Sequence, residues 1–401
     1  MPDRQTISLC MIVRDEQDHL ARCLGSARPW VDEMVVVDTG SRDRTVQIAR
    51  SFGARVSRHA WTDDFAAARN FSLERAGGDW ILVLDADEEL DQDSAPHLRR
   101  LVDDPVHNGF VLQLLNLMPD GTQGMLQAPR LFRNHRGVRY HGAIHEVPRG
   151  LEPVGVAGVR VLHHGYNLAP GQKARKHAQR LELLQRWVVR EPDSVAAHTY
   201  LAQRLNAHGG SSEKALRHGL EALRLAQEQG PGRHEMDRIL RAVCFSLAAQ
   251  RRFDQVIRYA RRLQAALPDH PDGYFLELGA QVEQNQWPRI VEVSGRLLKW
   301  LAHWEARPGR CPYQEVISQQ QAPLALHSRV LALAHLARDD EAAEAFAHLL
   351  GRPGVESRAR VLLETLRQRG LGKLASRLAA EAAARHPDWT WTTGFTRPRL
   401  G

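Results

Sequence analysis

Two apolar runs in this 401-residue chain stop in carboxylates. Met34-Val35-Val36-Val37 stops at Asp38. Trp80-Ile81-Leu82-Val83-Leu84 stops at Asp85-Ala86-Asp87, with Glu88 and Glu89 behind it. A third run, Ile7 to Val13, is followed by Arg14-Asp15-Glu16. The strands of a parallel sheet bring their C-terminal ends to one edge, and ligands bind in the crevice outside it. Carboxylates gathered there repel one another unless a cation or a hydrogen-bonding ligand sits among them. Asp85-Ala86-Asp87 has the oxygen chemistry for a hard divalent ion, Mg2+ or Mn2+. Such ions are held by one or two carboxylates, with water and substrate phosphates completing the shell. An isolated Asp-x-Asp is usually a solvated turn. Its place directly after a five-residue apolar run favours the metal instead.

The elements that must position these groups follow from periodicity. Ile7–Val13, Met34–Val37 and Trp80–Leu84 read as buried strands, and Ala54–Ser57 as a short further one. Between them, Leu20, Cys23, Leu24 and Ala27 recur at helical spacing, as do Val46, Ala49 and Phe52, with Gly53 as the C-terminal stop. Phe65–Ala76 reads as a helix stopped by Gly77-Gly78. This alternation predicts an α/β domain, a mainly parallel sheet with helices on both faces. Residues 105–165 mix strand-like runs (Gly109–Leu115, Val159–Leu162) with turns and read as an antiparallel extension of the same domain.

From about Lys173 the pattern is helical to the end. Arg252-Phe253-Asp254-Gln255-Val256-Ile257 is mirrored by Gln286-Trp287-Pro288-Arg289-Ile290-Val291. Phe253 and Trp287 are 34 residues apart, the period of a tetratricopeptide repeat, and Pro268 stands where such repeats often close. Asp193–Leu225 and Ala325–Leu350 read as degenerate copies. The alternative is an irregular bundle with one chance match. Tandem amphipathic helices over 200 residues favour the array, which offers a concave binding surface. The expected domains are 1–170 and 171–401.

Hydrophobic residues at 43% and charged residues at 25% exclude a disordered or fibrous chain. Residues 1–170 hold 19 Lys+Arg against 23 Asp+Glu, and residues 171–401 hold 35 against 24. An acidic half joined to a basic half implies two different tasks. Only five of the 54 basic residues are Lys, an Arg excess that codon usage alone can produce, so it is no argument for nucleic acid. No basic and aromatic residues interleave as a nucleic-acid module requires. No run approaches the length of a membrane span, although basic helical faces could touch an anionic membrane. Met1-Pro2-Asp3-Arg4 is not a basic leader before an apolar core, and Cys10, Cys23, Cys244 and Cys311 are scattered. Reduced thiols and a cytoplasmic location are therefore expected.

Four segments taken together resemble the family-2 glycosyltransferases: Ile7 to Glu16, Val37 to Thr45, Asp64-Phe65-Ala66-Ala67-Ala68-Arg69-Asn70, and Leu84 to Glu88. The resemblance covers roughly residues 5–165 and is specific as a set. With the helical repeats, the chain is similar to a bacterial subgroup that includes peptide S-glycosyltransferases of bacteriocin pathways. The resemblance implies an A-type glycosyltransferase fold followed by an all-α tetratricopeptide-like domain, a nucleotide-sugar donor (UDP by family) and Mg2+ or Mn2+. It implies that Asp38 contacts base or ribose, and that Arg14, Asp15 and Glu16 line the same pocket. Asp43 would shape the donor loop, while as a plain residue it would cap the following helix. Asp85 would face ribose or metal, Asp87 would ligate the metal, and Arg69, otherwise an exposed helix arginine, would sit by the diphosphate.

Arg139-Tyr140-His141-Gly142-Ala143-Ile144-His145-Glu146 resembles the subgroup's Ile-His-Glu region. An inverting displacement needs one base to take the acceptor proton. Glu146 is the candidate and His145 the second choice; the alternative for both is a structural hydrogen-bonding role. Leu162-His163-His164-Gly165-Tyr166 resembles the subgroup's Leu-His-Tyr-Gly-Tyr, with His164 in place of tyrosine. His163 is thereby a candidate third metal ligand, against the alternative of a packing histidine. A zinc site from His141, His145, His163 and a cysteine is disfavoured, because the metalloprotease glutamate is missing and Gly142 weakens a helix there.

Function then reads as metal-dependent inverting sugar transfer to a peptide or protein recruited by the repeats. The alternatives are transfer to a lipid-linked or cell-envelope glycan, and a non-catalytic tetratricopeptide scaffold with a degenerate sugar-binding domain.

Overall fold

The structure, a computed structural model, describes residues 4–117, 123–164, 170–207, 211–230, 233–307 and 321–396. It divides into two compact units, Met1–Pro192 and Asp193–Gly401. The helix Pro170–Arg190, which the sequence placed at the start of the second domain, falls in the first unit.

The first unit is built on β1 (Ile7–Val13), α1 (Leu20–Ala27), β2 (Glu33–Asp38), α2 (Thr45–Ser51), β3 (Arg55–Arg58), α3 (Phe65–Leu73) and β4 (Trp80–Val83). β5 (Glu88–Leu90), α4 (Leu98–Leu101), β6 (Gly109–Leu117) and β7 (Gln123–Arg133) follow. β8 (Arg139–His141), β9 (Val147–Arg149), β10 (Val154–His163) and α5 (Pro170–Arg190) complete it. One eight-stranded sheet has the order β3-β2-β1-β4-β7-β6-β10-β5, and β8 and β9 form a separate two-stranded ribbon.

β1 is buried on both faces, which is why it reads as a continuous apolar run. Its Ile7, Leu9, Met11 and Val13 pack with Leu20, Cys23, Leu24 and Ala27 of α1. Cys10, on the opposite face, packs with Ala66 and Leu73 of α3. Burial pushes the Cys10 thiol up to about 12, so it behaves as a small apolar residue. Cys10, Cys23 and Cys244 are free and buried; Cys311 lies outside the described residues. α2 ends where expected, with Gly53 at φ +81°. α3 stops at Leu73, three residues short of the expected Ala76.

β1, β2, β3 and β4 are mutually parallel. The extension is only partly antiparallel. β7 runs antiparallel to both β4 and β6, but β10 returns parallel to β6. That pairing needs a long crossover, here the chain from β7 to β9, and strand periodicity cannot reveal it.

The second unit is helical: α6 (Val195–Ala207), α7 (Ser212–Gln229), α8 (Arg233–Ala249), α9 (Phe253–Ala266) and α10 (Pro271–Glu283), then α11 (Trp287–Glu305), α12 (Ala322–His335), α13 (Asp339–Leu350), α14 (Glu356–Gln368) and α15 (Gly372–Arg385). The repeat is written in its turns. Arg251, Asn285, Ala337 and Gly370 all have positive φ, each two residues before a helix. After each, a backbone N–H reaches back five residues: Arg252 to Leu247, Gln286 to Gln281, Arg338 to Leu333 and Leu371 to Leu366. This left-handed stop satisfies carbonyls at the helix end. Arg251 and Asn285 stand 34 residues apart, each directly before one of the two matched sequence stretches, and Ala337 falls inside the proposed copy Ala325–Leu350. The corresponding turn of Asp193–Leu225 is outside the described residues. No helix among the described residues is long and apolar enough to cross a membrane.

Candidate functional site

Parallel register sets the site. Val13 at the end of β1 lies beside Asp38 at the end of β2, and Cys10 of β1 lies beside Val83 of β4, so Asp85-Ala86-Asp87 leaves the sheet at the same edge. Asp38 is buried, and its Oδ1 accepts the Ser41 N–H at 2.9 Å. The loops after β1 and β2 are stitched together. Asp15 Oδ1 accepts from Arg42 N at 2.7 Å, Ser41 Oγ from Asp15 N at 3.0 Å, and Thr45 Oγ1 from Glu16 N at 2.7 Å. Asp43 Oδ1 accepts from Thr45 N at 2.9 Å and Oδ2 from Gln17 N at 3.1 Å. Asp43 thus holds Thr45, the first residue of α2, and ties the two loops, although the N-cap position itself falls to Arg44, which makes no side-chain cap bond. Burial opposes the charge on Asp43, but these donors hold it below the usual carboxylate range. Arg14 and Asp15 remain exposed at the rim.

A second group forms around Asp85. Arg69 of α3, buried rather than exposed, donates Nη2 to Asp85 Oδ1 at 2.6 Å and Nε to Glu146 Oε1 at 2.5 Å. Arg130 of β7 reaches Asp85 Oδ2 at 3.4 Å and Glu88 Oε1 at 2.5 Å, and Glu88 Oε2 accepts the Asp85 N–H at 2.9 Å. Burial opposes charge on Asp85, yet the two guanidiniums hold it far below the carboxylate range. Burial pushes Glu88 up to about 7, opposed by Arg130 and reinforced by Asp85 and Asp87. Three carboxylates (Asp85, Glu88, Glu146) face two guanidiniums, and Asp87 beside them adds its charge to Glu88. Proton uptake by Glu88 is one way to relieve that excess; a divalent cation beside Asp87 is another.

Asp87 meets His163. The His163 ring stands in register between Glu88 of β5 and Asn116 of β6, with Nδ1 2.8 Å from Asn116 Oδ1 and Nε2 3.4 Å from Asp87 Oδ2. Burial lowers the His163 pKa, but Asp87, Glu88 and Asp85 together raise it. With Asn116 Oδ1 accepting from Nδ1–H, the raised pKa goes with a ring that also directs Nε2–H at Asp87 Oδ2, so ligating a metal through Nε2 requires loss of that proton. His164, which replaces tyrosine, sits 3.0 Å from Glu89 Oε2; Gly165 and Tyr166 lie outside the described residues.

The β8–β9 ribbon carries Glu146 and His145. Asn70 of α3 exchanges two bonds with the Tyr140 backbone, at 2.9 and 2.8 Å, and Ala143 O accepts the Phe65 N–H at 2.8 Å. Glu146 is mostly buried, whereas His145 is exposed at φ +57°. His141, His145 and His163 do not converge. Among the described residues the one trio of potential ligands within 4.8 Å is Asp237, His270 and Asp272 in the second unit, threaded by Arg241. Glu88 was noted only as part of the acidic run after β4, and Arg130 and Asn116 were missed by sequence reasoning. Asn116 lies one residue beyond the strand-like run Gly109–Leu115, and Arg130 lies in a strand, β7, that the sequence reading did not single out.

Residues 8–147 match the family model for glycosyl transferase family 2. A TPR repeat-containing protein of Synechococcus elongatus is 48% identical over 141 residues, 35% of each chain. The SPbeta prophage-derived glycosyltransferase SunS of Bacillus subtilis is 25% identical over 205 residues, covering 48% of this chain and 47% of that one. The chain thus spans a third to a half of the length of these curated relatives. Among solved structures, S. aureus TarS 1–349 is 12% identical with a TM-score of 0.35, covering 76% of this chain and 93% of that one. The acidic strand ends, Arg69 and Glu146 all fall inside the matched segment: the first unit carries a glycosyl transferase family 2 domain, and a helical tetratricopeptide-like region follows it.

Proposed function

We propose that the chain is a metal-dependent inverting glycosyltransferase that moves a sugar from a nucleotide-sugar, UDP-linked, to a peptide or protein acceptor. One observation carries this reading. Asp38 and Asp85-Ala86-Asp87 leave parallel strands at one sheet edge, with the Arg69–Glu146 pair beside them, inside the segment that matches the family.

The donor set suits Mg2+ or Mn2+. Asp87 Oδ2 and His163 Nε2 are 3.4 Å apart, close to the separation of about 3 Å between neighbouring ligands of an octahedral ion. Asp87 and His163 would hold the ion, and its charge would stabilise the leaving diphosphate. Asp85 has both oxygens engaged by guanidiniums, so its part is to face the ribose while fixing Arg69. Asp38, with Arg14, Asp15, Glu16 and Asp43 around it, forms the nucleoside end of the pocket. Arg69 keeps Nη1 without a hydrogen-bond partner among the described residues, a donor left for a diphosphate oxygen.

Transfer is a single displacement. The acceptor heteroatom bonds to the anomeric carbon as the bond to the diphosphate oxygen breaks, and that oxygen leaves with the electron pair. The acceptor proton passes to Glu146, whose Oε1 is anchored by Arg69 and whose Oε2 is its remaining basic oxygen. His145, exposed next to it, borders the acceptor side. The helical unit would recruit the acceptor, in keeping with the excess of Lys+Arg over Asp+Glu in residues 171–401.

The test is nucleoside diphosphate release from a panel of nucleotide-sugars with Mn2+ or Mg2+. The full chain should release UDP and Asp87→Ala should not. No release from any donor, together with unchanged ligand binding by Asp87→Ala, would overturn the proposal.

A further inference from the structure

The match to the family ends at residue 147, yet the ribbon that carries Glu146 is incomplete there. β8 and β9 pair only through Arg139 with Arg149, Tyr140 with Pro148 and His141 with Val147. A lone two-stranded ribbon is marginally stable at best. On one side α3 holds it through Asn70 and Phe65.

The other side is closed from far along the chain. Trp187, near the C-terminal end of α5, is 3% exposed. A Cβ at Gly142 would lie 3.3 Å from Trp187 Cη2, and Gly142 has φ +98°, so glycine both permits the turn and lets the indole close against it. α5 is tied to the same assembly by charge. Arg186 Nη1 is 2.5 Å from Asp63 Oδ2, and Arg190 Nη2 is 4.0 Å from Asp64 Oδ2. Asp64 is the N-cap of α3 through the Ala67 N–H, and α3 carries Arg69. The turn Gly142–Glu146 is thus gripped between α3 and Trp187, with Glu146 closing on Arg69.

We infer that Trp187 is a positioning residue for Glu146: its indole presses the Gly142 turn toward α3 and fixes the carboxylate at the Arg69 guanidinium. A complete active site therefore needs α5, which lies beyond the segment matching the family. The kinetic part of this inference rests on the proposed role of Glu146; the structural part does not.

Two measurements on the full chain test it. In amide hydrogen exchange, Trp187→Ala should speed exchange across residues 140–147 by about tenfold or more, leaving residues 7–13 and 33–38 at the wild-type rate. In transfer assays, Trp187→Ala should lower kcat by about 100-fold, the scale set by a misplacement near 1 Å, with donor KM unchanged. Trp187→Phe, which keeps a ring against Gly142, should recover most of the loss and serves as the probe if Trp187→Ala does not fold. Wild-type exchange at 140–147, or a uniform rise in exchange with kcat and donor KM failing together, would overturn the inference. If the wild type turns over no donor, the proposed activity fails and the exchange result still decides the role of Trp187.

Discussion

Arg69 and Arg130 are the residues on which the acidic site turns. Buried ion pairs are costly to form and more costly to break from one side, because the abandoned partner stays charged in a dry place. Arg130 serves Asp85 and Glu88 at once. Arg130→Met should destabilise the first unit by about 3 kcal/mol, read by denaturant unfolding. Glu146 answers to different physics. Glu146→Gln keeps an oxygen for Arg69 but cannot take a proton, so transfer should fall by about 10²–10⁴-fold while nucleotide binding stays at the wild-type level. Equal loss of binding and turnover would assign Glu146 a structural role instead. The acidic half of this site was legible because an apolar run that stops in Asp85-Ala86-Asp87 is unusual on its own. The arginine half was legible only in part. The resemblance placed Arg69 by the diphosphate although its own spacing reads as a surface helix residue, and Arg130 carried no signal; only the tertiary approach of α3, β4 and β7 buries the two guanidiniums.

The strands and turns carry their own tests. Asp79 precedes β4 and accepts both the N–H and the hydroxyl of Thr6, ahead of β1, at 2.8 and 2.7 Å. Those bonds hold its carboxyl below the usual range. A depressed carboxyl adds stability above its unfolded pKa, about 3.9, and loses it as the pH falls through the lower folded value. The advantage of wild type over Asp79→Asn in thermal unfolding should thus be full at neutral pH and vanish in acid below that point. The repeat turns predict a second asymmetry. Gly370 occupies the left-handed position that Arg251, Asn285 and Ala337 occupy at a cost. Gly370→Ala should destabilise by about 1 kcal/mol, and Ala337→Gly should not. Element positions in the first hundred residues were readable because strands buried on both faces are unbroken apolar runs. The pairing of β10 with β6 was not, since local pattern says nothing about which distant strand becomes a neighbour. Trp187 was invisible for the same reason: its partner, Gly142, is 45 residues away in the chain.

Across the whole chain, the 34-residue spacing of the two matched stretches foretold the turns at Arg251 and Asn285, while α5 falls within the first unit, where its Trp187 closes on Gly142. The charge asymmetry of the two halves leads to a test of recruitment. An acidic acceptor held by the basic half should show an acceptor KM that rises with ionic strength between about 0.05 and 0.5 M, while a neutral acceptor should show none of this dependence. The central claim, that the strand-end carboxylates hold a cation together with the donor's diphosphate, is tested most directly by calorimetric titration of UDP into the full chain with and without Mn2+. The account predicts binding that requires Mn2+ in the wild type and is lost in Asp87→Ala with the metal present. Equal affinity with and without Mn2+, or full binding by Asp87→Ala, would contradict it.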